Sequence, residues 1–467
     1  MRPKTLLTLT ATAALLGAFI FFFEKDMDST DERKEAAKKV LRLETDEIVA
    51  ATLRWEDETV RLVRETPTEP DESSEDAKPA RQWRLEEPFQ SRADGEAVES
   101  LLNQITALEK GRTLEDLSPA DAGLDPPRAV LTLKRPEDRQ TKIEIGAEVP
   151  ASSQMLVRLD GQGPIFQVGK SLYEAVTKKP GDWRDRSLFH AERSDIRRLR
   201  YTAGETPILL AEQDGSFVLE EPLNDRADTA SVDSLLASLT RLEASAFVDD
   251  PLLSPDKLGL DPARAVLDVD LDGGQSFRLE FGDRTPGGQL YARADQQLVE
   301  IAPDLASSLE RPAEAWRSKS WTSLQVFAID RFEVIEDGED PLTVERAEAD
   351  WLRGEERIPY AAASDFLYAL TEAQAEEILE RPDALAAGHP LESPRFTIRL
   401  GGEETEEVLK LFPTIEDHAA ATVDGRAVVL RLSGETAAGL ESKLRALRDA
   451  EPLPEEPAEE GGSESDA

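Results

Sequence analysis

Trp83-Arg84-Leu85-Glu86-Glu87-Pro88 recurs as Phe217-Val218-Leu219-Glu220-Glu221-Pro222, 134 residues later (217 − 83), and Trp351 stands a further 134 residues on. A fixed period of this kind marks tandem modules. Ala93-Asp94, followed by Val98, Leu101, Leu102, Ile105 and Leu108, returns as Ala227-Asp228, followed by Val232, Leu235, Leu236, Leu239 and Leu242. Apolar residues three and four apart form one buried stripe of a helix, and the aspartate just ahead can cap its first-turn amides. Each helix leads to Gly-Leu-Asp-Pro, at Gly123 to Pro126 and at Gly259 to Pro262. Proline fixes φ and pushes the preceding residue out of the helical region, so the chain turns there and then extends.

Strands are expected on both sides of these landmarks. Ile48 to Trp55, Ile196 to Tyr201 and Phe327 to Ile335 open the modules. Arg128 to Leu133 and Arg264 to Leu271 follow the turns, and then come Ile143-Glu144-Ile145-Gly146 and Leu279-Glu280-Phe281-Gly282. Their alternation suits sheets with one buried face. The third copy is eroded: Trp351 and a helix with Phe366, Leu367 and Leu370 keep the register, but Leu391-Glu392-Ser393-Pro394 replaces Gly-Leu-Asp-Pro. A divergent last copy suits a capping role, because one of its faces has no neighbour. The expected fold class is α+β: tandem repeats of mainly antiparallel β-sheet modules, each carrying an amphipathic helix, after one N-terminal transmembrane helix.

That helix is read from Met1-Arg2-Pro3-Lys4 and the 19 uncharged residues from Thr5 to Phe23. At about 1.5 Å per residue such a run nearly crosses a hydrocarbon core of about 30 Å. It ends in bulky aromatics and Glu24-Lys25-Asp26 rather than in the small residues of a cleavage site, which favours an uncleaved signal anchor. The basic terminus stays cytoplasmic, so the remainder is expected outside the cytoplasm, periplasmic in a cell with two membranes. The ranges are 1–23 for the anchor, 24–45 for a charged stalk, 46–190, 191–322 and 323–448 for the modules, and 449–467 for a disordered acidic tail. Residues 66–82 read as an acidic loop inside the first module.

The net charge of −41 repels phosphate backbones, so nucleic acid is not an expected partner. The absence of cysteine excludes disulfides, thiolate nucleophiles, zinc ribbons and a lipobox. His190, His389 and His418 are widely spaced, and no phosphate-binding loop, nucleophile elbow or dinucleotide fingerprint occurs. Asp268-Val269-Asp270-Leu271-Asp272-Gly273 copies the first half of a calcium loop, but Leu279 stands where the closing glutamate belongs. A hairpin turning at Asp272-Gly273-Gly274 is the better reading. No catalytic, cofactor-binding or metal-ligating residue is nominated, and no cofactor is expected.

One repeated element exceeds what a core requires. Trp183 with Arg184 and Arg186, and Trp316 with Arg317 and Lys319, stand where one module passes into the next. Tryptophan and arginine are what interface centres favour. These six residues are expected at an inter-module joint or a partner-binding patch.

The basic terminus, the span ending in Phe-Phe-Phe-Glu-Lys, and modules with Trp-x-Leu-x-x-Pro, Gly-Leu-Asp-Pro and Leu-x-Phe-Gly or Ile-x-Ile-Gly resemble a bacterial family, domain of unknown function 4340 (DUF4340). The resemblance covers Met1 to about Leu324, and more weakly reaches Arg448. It implies an envelope component encoded beside the permease and ATPase of ABC-type transporters of the gliding-motility kind, and it carries over no catalytic residue. The expected role is therefore a non-enzymatic, membrane-anchored accessory protein. A binding module for extracellular polymer or cations is a second reading, and a hydrolase using paired carboxylates a third.

Overall fold

The computed structural model describes residues 38–65, 82–386, 388, 391–402 and 406–454. The expected anchor, most of the stalk, the loop at 66–81, His389 and the tail from 455 lie outside the described residues. Among those described, no helix is long and apolar enough to cross a membrane. The chain divides into two compact units, one ending at Leu188 and one beginning at Phe189.

The first unit holds one sheet. Its strands are β1 (Ala50–Trp55), β2 (Glu58–Arg64), β3 (Trp83–Glu87), β4 (Ser91–Arg92), β5 (Thr113–Leu114), β6 (Ala129–Lys134), β7 (Gln140–Glu148), β8 (Gln154–Leu159) and β9 (Gln162–Gly169). Their order is β4-β3-β2-β1-β6-β7-β8-β9-β5, all antiparallel. Two meanders thus meet at β1 and β6, and helix α1 (Gly95–Thr106) connects one edge strand, β4, to the other, β5. Short helix α2 (Ser171–Val176) follows β9.

The second unit repeats this order twice. Its first sheet has β10 (Ile196–Thr202), β11 (Ile208–Gln213), β12 (Ser216–Glu221), β13 (Asp225–Arg226), β14 (Ala244–Phe247), β15 (Ala265–Leu271), β16 (Ser276–Arg284), β17 (Leu290–Ala294) and β18 (Gln297–Ile301), with helices α3 (Thr229–Thr240) and α4 (Asp304–Leu309). The other has β19 (Arg331–Glu336), β20 (Leu342–Ala347), β21 (Asp350–Arg353), β22 (Glu356–Ile358), β23 (Glu377–Glu380), β24 (Phe396–Gly401), β25 (Glu406–Leu411), β26 (His418–Val423) and β27 (Val428–Ser433). Its helices are α5 (Tyr360–Thr371), α6 (Arg381–Ala386) and α7 (Gly434–Arg448). The fold is α+β, three nine-stranded antiparallel sheets with few helices.

The helical stripes read from the sequence face the cores: Val98, Leu101, Leu102 and Ile105 of α1 are buried, as are Val232, Leu235, Leu236 and Leu239 of α3. Asp94 accepts from the amide of Ala97 at 2.9 Å and Asp228 from that of Ser231 at 2.8 Å, the expected caps. Two expectations need correction. Residues 38–45, read as stalk, belong to the first module, because Val40, Leu41 and Leu43 enter its core and the Val40 amide donates to the carbonyl of Leu108. The third module's first strand starts at Arg331, since Phe327 lies in an exposed 3-10 turn.

The Gly-Leu-Asp-Pro turn and the glycine of the later strand prove to be one device. Gly146 in β7 sits at a register shift, directly beneath the turn: an added Cβ would strike the carbonyl oxygen of Ala122 and lie 2.9 Å from Leu124 Cγ. Gly282 in β16 meets Leu258 and Leu260 in the same way. Leu124 then packs with Ala122, Leu156 and Ile165 in a small second core. In the third module Phe412 stands directly after β25 in place of the glycine, and Ala420 takes the position that Leu156 holds in the first. Phe412, Ala384, Ala420 and Val429 fill the equivalent core. The Gly-Leu-Asp-Pro turn and the glycine are thus both absent from the third module, where one aromatic ring supplies the bulk that Leu124 and Leu156 supply in the first, the volume-conserving exchange that cores tolerate. Helix α7, with Leu440, Leu444 and Leu447 buried, closes the last module.

Gly146→Ala and Gly282→Ala should each cost about 1–3 kcal/mol or more, because the carbonyl they meet is backbone and cannot swing away. Gly439→Ala, at an exposed position inside α7 with open space around it, should instead stabilise by about 0.5–1 kcal/mol. Denaturant melts followed by circular dichroism would read all three.

Candidate functional site

The Trp-Arg elements first close their own modules. Trp183 ends a 3-10 turn, is buried, and its carbonyl accepts the amide of Asp94, the α1 cap residue, at 2.8 Å. Trp316 repeats this with Asp228 at 2.7 Å. Each ring carries a cation from just upstream, Lys178 at 5.0 Å and Arg311 at 4.5 Å from the ring centre. The next residue forms a β-bridge beside the cap, Arg184 with Ala93 and Arg317 with Ala227. Arg184 is buried with its guanidinium over Phe89, 4.8 Å from the centroid, while Arg186 is exposed.

Within the second unit the element also joins two sheets. Asp225, in edge strand β13, has 1% of its side chain exposed. Its Oδ2 accepts from Arg317 Nε at 2.7 Å, and its Oδ1 from Arg426 Nε at 2.6 Å and from the Arg226 amide at 2.8 Å. Arg426 comes from the last sheet and also donates to the carbonyl of Ser318 at 2.6 Å. Burial alone would raise the Asp225 pKa; the hydrogen bonds and charges of Arg426 and then Arg317 outweigh it and hold the carboxyl below its ordinary value. Arg317 reaches Glu380 at 3.4 Å, and exposed Lys319 donates to the carbonyl of Glu376 at 3.0 Å. Nearby, Glu407 accepts from Arg226 at 2.8 Å and from the Thr322 hydroxyl at 2.7 Å. Of the six residues named from the sequence, Arg317 and Lys319 therefore bind the following sheet, and Trp183, Arg184 and Trp316 shape their own modules.

Register explains why the joint is ionic. Thr322 and Glu407 occupy the places of Phe189 and Phe277, which form an edge-to-face pair with centroids 5.2 Å apart at the start of the preceding sheet. Arg426 has no counterpart, because β26 and β27 are joined by four residues where β8–β9 and β17–β18 have two. The third buried carboxylate, Glu144, is held by Lys142 at 2.7 Å and Arg158 at 2.6 Å. Burial raises its pKa, and those two partners prevail and lower it. Among the described residues no cluster of three or more His, Asp or Glu side chains is placed to hold a metal ion. The aspartate-rich run is the expected hairpin: Asp268 pairs with Arg278, and Asp272, at the turn after β15, pairs with Arg197. His418 faces Glu376 at 3.1 Å.

A feature absent from the sequence reading lies in the middle module, a cavity of about 500 Å³ between residues 192–197, the β11–β12 hairpin and α3. In the first module the cross-strand pair Arg64–Trp83 fills this position: the guanidinium stands 4.8 Å from the indole centre and donates to the carbonyls of Thr45 and Asp46 at 3.0 Å. In the last module the cross-strand pair Arg346–Trp351 does the same, at 4.7 Å. In the middle module the pair is Glu212–Phe217. Trp83 and Trp351 are buried, and Phe217 is partly exposed.

A family model, "Domain of unknown function (DUF4340)", matches residues 83–251 and again 217–394, the two matches starting one sequence period apart. No curated protein matches the chain.

Asp225→Asn should destabilise the second unit by about 3–5 kcal/mol, the cost of leaving buried arginines uncompensated. Because the folded pKa is depressed, the contribution of Asp225 is complete above the unfolded value of about 3.9 and is lost as pH falls from there through the folded value. Melts between pH 7 and pH 2 should show this acid loss in the parent chain and less of it in Asp225→Asn.

Proposed function

This chain belongs to the DUF4340 family, and we propose that it is a non-enzymatic, single-span accessory protein holding its sheet modules outside the cytoplasm for an envelope complex, an ABC-type transporter of the gliding-motility kind. The observation that carries this reading is the ionic joint. The chain uses its deepest charges, Asp225, Arg317 and Arg426, to fix one sheet against the next. Such pairs contribute little net stability compared with apolar packing, but they specify which surfaces meet. A protein built to present a surface benefits from that specification.

The proposed span is Thr5 to Phe23, with Arg2 and Lys4 on the cytoplasmic side. The acidity of the remainder, at a net −41 for the whole chain, suits basic protein surfaces and disfavours lying on anionic lipid. The modules would then stand off the bilayer and face a protein partner.

In-cell crosslinking of the tagged full-length chain, followed by detergent extraction, affinity capture and mass spectrometry, should recover a transporter permease with its ATPase. Recovery should disappear when residues 1–23 are replaced by a cleavable export signal. Capture of neither subunit, with a known membrane complex recovered in parallel, would overturn the proposal.

A further inference from the structure

The cavity of the middle module has a sister-module precedent for its occupant. Across one repeated fold, two modules fill the space between the 3-10 turn, the hairpin and the helix with an arginine stacked on tryptophan. In the first module that arginine is also 3.6 Å from Glu99 of α1, and in the last Arg346 is 3.7 Å from Asp330. The middle module keeps the receiving parts. Asp233 stands on α3 where Glu99 stands on α1, the carbonyls of the 3-10 turn at Arg193–Asp195 remain, and an aromatic ring remains in Phe217. What changes is the guest, for a carboxylate, Glu212, replaces the arginine.

Two arginines line the cavity, and both are engaged at its rim. Arg193 pairs with Asp233, and Arg197 Nε donates to Asp272 at 2.6 Å while lying 3.6 Å from Glu212. Among the described residues no cation stands over Phe217. Counting Glu192, Glu212 and Asp233 against Arg193 and Arg197, the lining carries one net negative charge.

We propose that this cavity receives an arginine side chain of a partner protein, its guanidinium stacked on Phe217 and held by Glu212, in the place that Arg64 and Arg346 take in the neighbouring modules. Stacking on the ring face attracts a cation through the aromatic quadrupole, and Glu212, whose Oε1 accepts the amide of Gly215 at 2.7 Å, offers its other oxygen as a charge-assisted acceptor for the guanidinium. Lysine, a point charge without a planar fork, fits this arrangement less well. The inference is independent of where in the cell the chain resides.

The test is ligand-observed saturation-transfer NMR on the full-length chain in detergent micelles, with acetyl-Gly-Arg-Gly-amide as probe. Transfer should appear on the arginine side-chain methylenes, and the citrulline analogue, isosteric and uncharged, should bind at least about tenfold more weakly. Glu212→Arg with Phe217→Trp installs the sister modules' own pair. That double variant should abolish transfer and melt no lower than the parent, because the site is then filled within the chain. Should the double variant misfold, Glu212→Gln in a folded chain should weaken the tripeptide about tenfold. Equal transfer to the arginine and citrulline tripeptides, transfer that survives in the folded double variant, or binding of methylguanidine without the tripeptide would each overturn the proposal.

Discussion

Each of the first two modules is held shut by a pair of backbone hydrogen bonds: the amide of the helix-cap aspartate donates to the carbonyl of the closing tryptophan, Asp94 to Trp183 and Asp228 to Trp316, and the returning segment donates to the edge strand, Asp185 to Arg92 and Ser318 to Arg226. Three parts of the chain meet there. The short edge strand ends at that point, the helix that must travel to the opposite edge begins, and the last segment of the module returns. A helix of 12 residues rises only about 18 Å, whereas nine strands laid flat would extend about 38 Å at 4.8 Å per gap. The position of the helix start is therefore tightly constrained. The buried indole and the cation over it support that point, which is why tryptophan, arginine and the cap recur as a set.

Much of this was legible in the sequence because it is local. The 3.6-residue stripes of α1 and α3, their aspartate caps, the turns at Gly-Leu-Asp-Pro and the hairpin at Asp272 all follow from neighbouring residue types. Contacts between distant motifs were less accessible. Gly146 and Leu124 were each visible as repeated residues, but nothing in their spacing says that one is small to admit the other. Phe412 illustrates this from the opposite side: the third copy looked merely eroded, and only the sheet register reveals that its ring does the work of a leucine elsewhere.

The candidate sites divide along the same line. Trp316, Arg317 and Lys319 were identified because they repeat, and two of them reach the next sheet. Asp225 and Arg426, which complete the joint, do not repeat: the first module has Ser91 at the edge-strand position, and Arg426 lies in a two-residue insertion. Glu212 was hidden differently. Its partner Phe217 follows five residues later, whereas Arg64 and Trp83 are separated by 19 because a longer segment is inserted between their strands. A comparison by sequence period aligns the aromatics and sets Glu212 against Arg346, but it misses Arg64, and without the sheet register nothing shows that these residues face the aromatic. Chemistry that arises where a repeat departs from itself is thus the least visible to reasoning built on repetition.

The position of β1 decides where the chain can be cut. It lies fourth of the nine strands, between β2 and β6, and is the strand through which the two meanders are continuous. The family match opens at Trp83, after β1 and β2, and its first copy runs past α3 to the beginning of the next module's second half. A fragment cut at those limits would keep β3 and β4 without the strands that tie them to β6, and would carry half of the following sheet with an open edge. The limits of the family match and the limits of the folded sheets are thus out of phase by about half a module.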